Sequence, residues 1–191
     1  MRKILIIDAH PDSESLGAFL CKKYEENARQ NHDVEKIVIR DLSFDPVLHF
    51  GYRVAQDLEP DLLQAQKKIK ACEHLVLFTP NWWGSLPALA KGFFERIFIR
   101  GFSHRFNPEK KIAEKLLNGK TASVIYTQSS PKFYTKFIIG DAFWKCLTKS
   151  ILGYVGFSNL KRYYISKAKS IDPQRMKKIL YDLEKMGKDG F

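Results

Sequence analysis

Two serines and a glycine follow the first apolar run of the chain and could bind a phosphate group. Ser13, Ser15 and Gly17 stand where the run Lys3 to Asp8 has ended and a helical pattern begins. Free backbone N–H groups, hydroxyl donors and the positive end of the helix dipole together favour a phosphate at such a position. Capping of the helix by Ser13 or Ser15 alone would explain the same residues. The loop lacks the glycine patterns of Rossmann dinucleotide sites and P-loop nucleotidases, which argues against both classes.

A pair of adjacent tryptophans follows the third apolar run. Trp82 and Trp83 stand there, and Gly84 comes directly after them. Neighbouring strand residues face opposite sides of a sheet, so both rings cannot point into one core. We therefore expect at least one ring to reach a ligand crevice or an interface, where it could stack on a planar cofactor beside backbone amides. Packing of both rings beneath the loop is the alternative.

A third polar loop follows the fourth apolar run and is rich in side-chain donors. It runs from Thr127 to Ser130 and would be an ordinary turn if it stood alone. In a doubly wound sheet, however, ligands lie at the carboxyl ends of the strands, where all three loops would meet. A phosphate-binding helix start, an aromatic ring and a donor loop together describe a site for a phosphorylated flat heterocycle. Flavin mononucleotide (FMN) fits that outline.

The elements that must position these loops are strands buried on both faces, alternating with amphipathic helices. Continuous apolar runs predict five such strands, at Lys3 to Asp8, Val34 to Ile39, His74 to Thr79, Thr121 to Thr127 and Asn159 to Ile165. Helical spacing of apolar residues predicts five helices, at 16–28, 61–71, 86–97, 137–152 and 172–187. This alternation predicts an α/β, flavodoxin-like three-layer sandwich with a five-stranded parallel sheet, formed by a single domain of residues 1–191.

Three details of this prediction concern its boundaries. Asp172 is expected to cap the last helix and Gly187 to end it. Two stretches, Leu42 to Glu59 and Gly101 to Asn118, are predicted to be long irregular loops. Long ordered loops in a compact domain are often functional.

The net charge of +11 is the unusual feature of the composition. Residues 1–99 hold 13 basic and 14 acidic side chains, whereas residues 100–191 hold 19 and 7. The excess therefore lies entirely in the second half, where it could form a solvated face or attract phosphorylated ligands. A nucleic-acid-binding protein would interleave clustered Lys and Arg with exposed aromatics, and only residues 161–164, which we interpret as strand, do so.

The cysteines and the hydropathy pattern indicate a compartment. The three cysteines are widely spaced and show neither a metal-ligand pattern nor an even count. No apolar run is long enough to be the hydrophobic region of a cleavable signal or a membrane span. We therefore expect neither membrane insertion nor secretion. A cytoplasmic location is the remaining expectation.

Several motifs of the chain resemble those of a known family. They are His10-Pro11 followed by Ser15, the segment Pro80 to Ala88 continuing into Lys91 to Phe98, and Gly101-Phe102. With them, nearly the whole chain resembles the NAD(P)H:quinone oxidoreductase (DT-diaphorase-like) family of flavodoxin-like flavoproteins. That resemblance extends to bacterial NADPH:quinone reductases and to ancillary subunits of potassium-efflux systems.

The resemblance implies a set of flavin-binding residues. Those that match the family's phosphate and ribityl loop are His10, Ser15, Leu16 and Gly17. Those that match the loop flanking the isoalloxazine ring are Pro80, Asn81, Trp82, Trp83 and Gly84. Those that fall beside the pyrimidine edge of the ring are Thr127, Gln128 and Ser129, with Ser130 after them. The family has a Thr-Thr-Gly-Gly-like loop there, of which only Thr127 remains, and losing both glycines restricts the backbone conformations available for direct contact.

The resemblance also implies catalytic roles for two residues. The family stabilises charge with a tyrosine and a histidine that follow this loop. Tyr134 lies near the position of the tyrosine, whereas Gly140-Asp141 lies near the position of the histidine, which is absent here. His104 matches a segment that lines the substrate pocket of the partner subunit, which implies a homodimer. A packed or surface tyrosine and a solvent-facing histidine are the alternatives.

The function implied is hydride transfer from NADPH or NADH through the bound flavin to a quinone or a similar small acceptor, in a ping-pong cycle. The larger eukaryotic relatives bind FAD and carry a longer C-terminal region that this chain lacks, which favours FMN. The alternative function is that of a flavin-binding accessory subunit of a membrane transport system, which would dock through the two long loops.

Overall fold

A parallel sheet of five strands forms the centre of the computed structural model, which describes residues 1–109 and 111–191. Its strands lie in the order β2 (Asp33–Val38), β1 (Lys3–Asp8), β3 (His74–Pro80), β6 (Thr121–Thr127) and β7 (Ser158–Ile165). Every residue of β3 is buried because this strand has neighbours on both edges and helices on both faces. The apolar runs of the sequence thus become the sheet, as predicted.

Helices cover both faces of this sheet. α1 (Leu16–Ala28) and α6 (Pro173–Lys188) pack on one face, and α2 (Pro60–Ala71) and α3 (Ala88–Ile97) pack on the other. Ser15 begins α1 because its Oγ accepts the Ala18 N–H at 3.1 Å, and Asp172 begins α6 through the Arg175 N–H at 2.8 Å. Within the described residues, no helix is long and apolar enough to cross a membrane.

The predicted helix over 137–152 is wrong as one continuous element. The chain instead forms a π-helical turn at Tyr134–Ile138, then α4 (Ala142–Lys145), a second π turn at Cys146–Ile151, and α5 (Leu152–Val155). Asp141 interrupts the run because its backbone is left-handed, with φ of 58°. The Arg162 guanidinium binds its carboxylate at 2.5 Å, so a distant strand holds the break in place.

Two other boundaries differ from the prediction. The stretch Gly101 to Asn118 is not wholly irregular, because β4 (His104–Asn107) pairs antiparallel with β5 (Ile112–Lys115). Gly187 does not end the last helix, which continues to Lys188. A Cβ at Gly187 would lie 2.9 Å from the Tyr24 carbonyl oxygen, so this glycine permits close packing of α6 on α1.

A buried arginine fastens the long loop 42–59 to α3. The Arg96 side chain is 1% exposed and donates to Glu59 Oε2 at 2.9 Å and to the carbonyl oxygen of Asp57 at 2.6 Å. It also donates to the Asp45 carbonyl oxygen. A single guanidinium therefore satisfies acceptors from both ends of a loop that has little secondary structure of its own.

We expect Arg96→Met to lower the free energy of unfolding by about 3 kcal/mol, because it leaves these acceptors without their charged donor. Urea denaturation measures the change. Lys91→Met on the same helix is the matched control: it breaks only the exposed Lys91–Glu95 pair and should cost less than about 1 kcal/mol. Equal losses in the two variants would contradict this role of Arg96.

Candidate active site at the carboxyl edge of the sheet

The three polar loops lie side by side at the carboxyl edge of the sheet. β1 and β3 are in register up to Asp8 and Phe78, and β3 and β6 up to Pro80 and Thr127. The Asn81 N–H then donates to the Thr127 carbonyl oxygen at 2.8 Å, which joins the second loop to the third. The sheet register therefore brings together residues that are more than 100 positions apart in the chain.

The first loop presents free N–H groups at the start of α1. Leu16 and Gly17 occupy the first two helical positions, whose N–H groups have no acceptor within the helix. Beside them lies an open cavity of about 430 Å³, which Ser13, Ser15 and Lys22 help to line. The Ser15 hydroxyl caps the helix, but N–H groups and a lysine remain for an anion.

Burial sets the protonation state of His10. Its Nδ1 accepts the Asp12 N–H at 3.0 Å, so the neutral ring carries its proton on Nε2. Burial lowers the pKa of this imidazole below its ordinary value, although the carboxylates of Asp12 and Asp8 oppose the shift. The ring meets the Trp82 ring edge to face, with centroids 5.6 Å apart, and so connects the first loop to the second.

Asp8 and Arg40 form an ion pair next to His10 that the sequence analysis does not predict. Asp8 is 1% exposed and accepts the Arg40 guanidinium at 2.8 Å. The same Arg40 nitrogen donates to the His10 carbonyl oxygen at 3.0 Å, and the His10 N–H donates to Asp8 at 3.2 Å. Two signals in the sequence could have identified the pair. Asp8 is a carboxylate at the end of an apolar strand, and Arg40 follows the neighbouring strand.

The second loop makes a tight turn that holds one tryptophan in solvent. Trp82 and Ser85 exchange backbone hydrogen bonds at 3.0 and 2.9 Å, while Trp83 and Gly84 at the centre have φ of 54° and 74°. A left-handed tryptophan costs roughly 1–2 kcal/mol, and such strain tends to mark functional sites. The Trp83 side chain is fully exposed and Trp82 is 45% exposed, so packing of both rings beneath the loop is excluded.

The buried Gln128 amide orients the remaining polar groups. Its Nε2 donates to Thr135 Oγ1 at 2.6 Å and to the Ser130 carbonyl oxygen at 3.1 Å, so its Oε1 accepts Asn81 Nδ2 at 3.1 Å. This arrangement leaves Asn81 Oδ1 buried with no hydrogen-bond partner in the part of the chain that the structure describes. The N–H groups of Trp83 and Gly84 likewise have no acceptor among those residues.

A cavity of about 380 Å³ brings these groups together. Its walls include Asn81, Trp83, Gly84, Gln128, Ser130 and Tyr134. The residues that carry a buried acceptor, two backbone donors and an exposed indole ring thus line one cavity. Such a set suits a planar ligand that carries both donors and acceptors on its edge.

Not all of the predicted site residues reach this cavity. Ser129 is exposed and does not line it, whereas Ser130 does. His104 lines a different cavity of about 540 Å³, together with Tyr52 and Tyr154, and the two cavities share no lining residue. Within one subunit, the structure therefore does not bring His104 and Tyr134 together.

The fold and this site define a class: a doubly wound α/β protein with a ligand crevice at the carboxyl edge of its sheet. The family model for the flavodoxin-like fold matches residues 2–186. The chain belongs to this family, and the fold predicted from the sequence is confirmed.

Similar proteins agree with the resemblance seen in the motifs. An uncharacterized NAD(P)H oxidoreductase of Haemophilus influenzae is 27% identical over 164 residues, which cover 82% of this chain and 80% of that protein. The human ribosyldihydronicotinamide dehydrogenase [quinone] is 27% identical over 184 residues, which cover 83% and 79%. An FMN-dependent NADH-azoreductase of Bacillus anthracis, solved in complex with FMN, superposes with a TM-score of 0.73 at 20% identity and covers 100% and 97%. The resemblance to oxidoreductases of this fold is confirmed.

The depressed pKa of His10 makes a pH-dependent contribution to stability. The unfolded imidazole titrates near 6.5, and the folded one below it, so the contribution is complete above 6.5 and is lost as the pH falls through the folded pKa. The unfolding free energy of the wild type minus that of His10→Asn should be larger at about pH 8 than at about pH 5. An NMR titration placing the His10 pKa above 6.5 would contradict the assignment.

Proposed function

We propose that the protein is a flavin-dependent NAD(P)H oxidoreductase of the quinone reductase type, built on a single flavodoxin-like domain of residues 1–191. The observation that carries the proposal is the buried Asn81 Oδ1 close in the chain to the N–H groups of Trp83 and Gly84, none of which has a hydrogen-bond partner among the described residues. The names of the similar oxidoreductases support the same reaction class.

The polar groups of the cavity complement the edge of an isoalloxazine ring. That edge carries one donor, N3–H, between carbonyl and ring-nitrogen acceptors. Asn81 Oδ1 supplies an acceptor, and the N–H groups of Trp83 and Gly84 supply donors. The exposed indole of Trp83 supplies a flat apolar surface next to them. The residues present therefore fit a flavin, and Gln128 acts by orienting Asn81.

The start of α1 suits the phosphate of the same cofactor. Its free N–H groups and Lys22 can bind one phosphate group, which favours FMN, and the azoreductase of this fold solved with FMN points the same way. His10 connects this loop to the tryptophan loop through Trp82. The residues that we propose to hold the flavin are those of the sequence prediction, with Ser130, which lines the cavity, in place of Ser129: His10, Ser15, Leu16, Gly17, Pro80, Asn81, Trp82, Trp83, Gly84, Thr127, Gln128 and Ser130.

The protein's part in the reaction is to bind and to orient. A bound flavin would supply the chemistry of hydride transfer between NADPH or NADH and a quinone or a similar small acceptor. The N–H groups of Trp83 and Gly84 favour negative charge at the edge of the cavity. We assign to Tyr134, which lines that cavity, the role of stabilising such charge or contacting the substrate. The basic half of the chain attracts the phosphates of the nicotinamide cofactor.

The location and the partners follow from the same proposal. The three cysteines are free, which supports a reducing cytoplasm, and no nucleic-acid partner is invoked. No observation favours the accessory-subunit alternative.

Flavin retention tests the proposal. We expect the purified wild type to show the visible spectrum of a flavin, released by heat and identified by chromatography as FMN. Asn81→Leu should raise the dissociation constant for FMN about 10- to 100-fold, because it removes the buried acceptor. Gln174→Leu, which likewise replaces a side-chain amide with leucine but on the exposed face of α6, is the matched control.

Two outcomes would contradict the proposal. One is a wild type that binds no flavin after incubation with FMN and FAD. The other is a flavin-loaded protein that oxidises neither NADPH nor NADH with any member of a quinone panel.

The role of His104 requires a homodimer in which each site takes this residue from the partner subunit. A mixture of Asn81→Leu subunits with His104→Ala subunits then forms hybrid dimers that contain one intact site. We expect the mixture to recover up to about half of the wild-type activity per hybrid dimer, from one competent site of two. Sedimentation velocity establishes the dimer. A monomer, or a mixture no more active than its separate components, would overturn this role.

A further inference from the structure

Arg40 binds the main chain of His10 from a neighbouring element of the fold. It lies on a single 3₁₀ turn, Ile39–Asp41, that directly follows β2. Its Nη1 atom donates both to Asp8 Oδ2 at 2.8 Å and to the His10 carbonyl oxygen at 3.0 Å. The Asp8 carboxylate in turn accepts the His10 N–H at 3.2 Å. Both polar groups of the His10 main chain are therefore bound by one ion pair.

The loop of residues 10–14 has few other attachments through its main chain. The Asp12 N–H donates to His10 Nδ1 at 3.0 Å, and the Ser15 N–H donates to the Asp12 carbonyl oxygen at 3.4 Å, so these hydrogen bonds are local. Within the described residues, Arg40 forms the only hydrogen bond between the main chain of this loop and a residue distant in the sequence. The position of the loop relative to the sheet thus depends on Arg40.

The His10 side chain lies between the two places where we propose that the flavin binds. A Cβ at Gly17 would lie 3.4 Å from His10 Cδ2, so the imidazole packs directly against the start of α1. The same ring contacts the Trp82 ring, with centroids 5.6 Å apart. A shift of the His10 main chain would therefore move the ring that joins the phosphate loop to the tryptophan turn.

Arg40 itself does not line either part of the proposed site. It is absent from the walls of the cavity beside Ser15 and of the cavity beside Asn81. The carboxylate of Asp8, which is 1% exposed, compensates its charge, so the pair adds little net charge to either cavity. What Arg40 contributes is the position of the loop.

We propose that Arg40 is a positioning residue for the cofactor: through Asp8 and the His10 main chain, it holds the loop of residues 10–14 in the conformation that receives the flavin phosphate. This inference rests on the proposed function. A loop that is already fixed loses less conformational entropy when the ligand binds, so the gain is in affinity. Hydride transfer takes place at the other end of the cofactor and does not require Arg40.

Reconstitution of the flavin-free protein with FMN tests the proposal. We expect Arg40→Met to raise the dissociation constant for FMN at least about tenfold in equilibrium dialysis. The kcat for NADPH oxidation with a quinone, measured at saturating FMN, should stay within about twofold of the wild-type value. In the flavin-free variant, the ¹⁵N heteronuclear NOE of residues 10–14 should fall, because the loop moves more on the picosecond to nanosecond timescale.

Two further variants separate the position of the loop from the stability of the fold. Arg40→Met also destabilises the fold, because it leaves the buried Asp8 carboxylate unpaired. Asp8→Asn/Arg40→Met removes that charge while an amide oxygen can still accept the His10 N–H, and it should show the same loss of FMN affinity. Arg40→Lys should restore the affinity to within about threefold of wild type, because one ammonium nitrogen can donate to both acceptors.

Lys36→Met is the matched control. It breaks another partly buried ion pair between β2 and α1, in which Lys36 Nζ lies 2.7 Å from Glu25 Oε2, but this pair makes no hydrogen bond to the loop of residues 10–14. The dissociation constant for FMN should change by less than about twofold. Urea denaturation compares the stability of all the variants.

Two results would contradict this role of Arg40 and leave the proposed function intact. One is a wild type and an Asp8→Asn/Arg40→Met variant that bind FMN equally well. The other is a loss of affinity that is as large in Lys36→Met as in Arg40→Met, which would indicate a general weakening of the fold. A wild type that binds no FMN is a distinct outcome, because it would overturn the proposed function together with this inference.

Discussion

The buried side-chain amide of Gln128 is the interaction on which the candidate site depends. Its oxygen accepts Asn81 Nδ2, and its nitrogen donates to Thr135 Oγ1 and to the Ser130 carbonyl oxygen. An amide can satisfy all three only in one orientation, so it fixes the orientation of the Asn81 side-chain amide. The same amide anchors the segment of residues 132–140 through Thr135. One buried side chain thus sets both the polarity of the cavity wall and the position of the surface beside it.

The tryptophan turn is strained, and its neighbours supply the constraint that maintains it. Trp83 is left-handed, with no side-chain burial to offset the cost. The turn is closed by two hydrogen bonds between Trp82 and Ser85, and it lies between the wholly buried β3 and the start of α3. Because both flanking elements are fixed by core packing, the chain cannot relax the turn without moving one of them. The cost of a kilocalorie or so is small compared with the burial that would be lost.

The sequence predicts the sheet well and the segment after β6 poorly, for a physical reason. The run Thr121 to Thr127 becomes β6 with the same ends, because two-sided burial requires a continuous apolar pattern that is visible locally. The break at Asp141 depends on Arg162 from β7, and the orientation of Asn81 depends on Gln128. Contacts of this kind join residues far apart in the chain, so no local pattern reports them. The motifs after β1 and β3 could be placed at the crevice, but the role of Gln128 as a positioning residue could not.

The distribution of ion pairs matters more than the net charge of +11. Many of the basic side chains are neutralised locally: Arg96 by Glu59, Arg40 by Asp8 and Arg162 by Asp141. Such pairs hold loops and strand ends in place and add little to the field that an approaching ligand meets. Lys132 and Lys136 differ, because they lie over the Tyr164 and Phe137 rings and form no ion pair within the described residues, so their charge remains available to an anionic ligand. Two surfaces with the same count of basic residues can therefore differ in function, and the difference lies in whether each charge already has a partner within the fold.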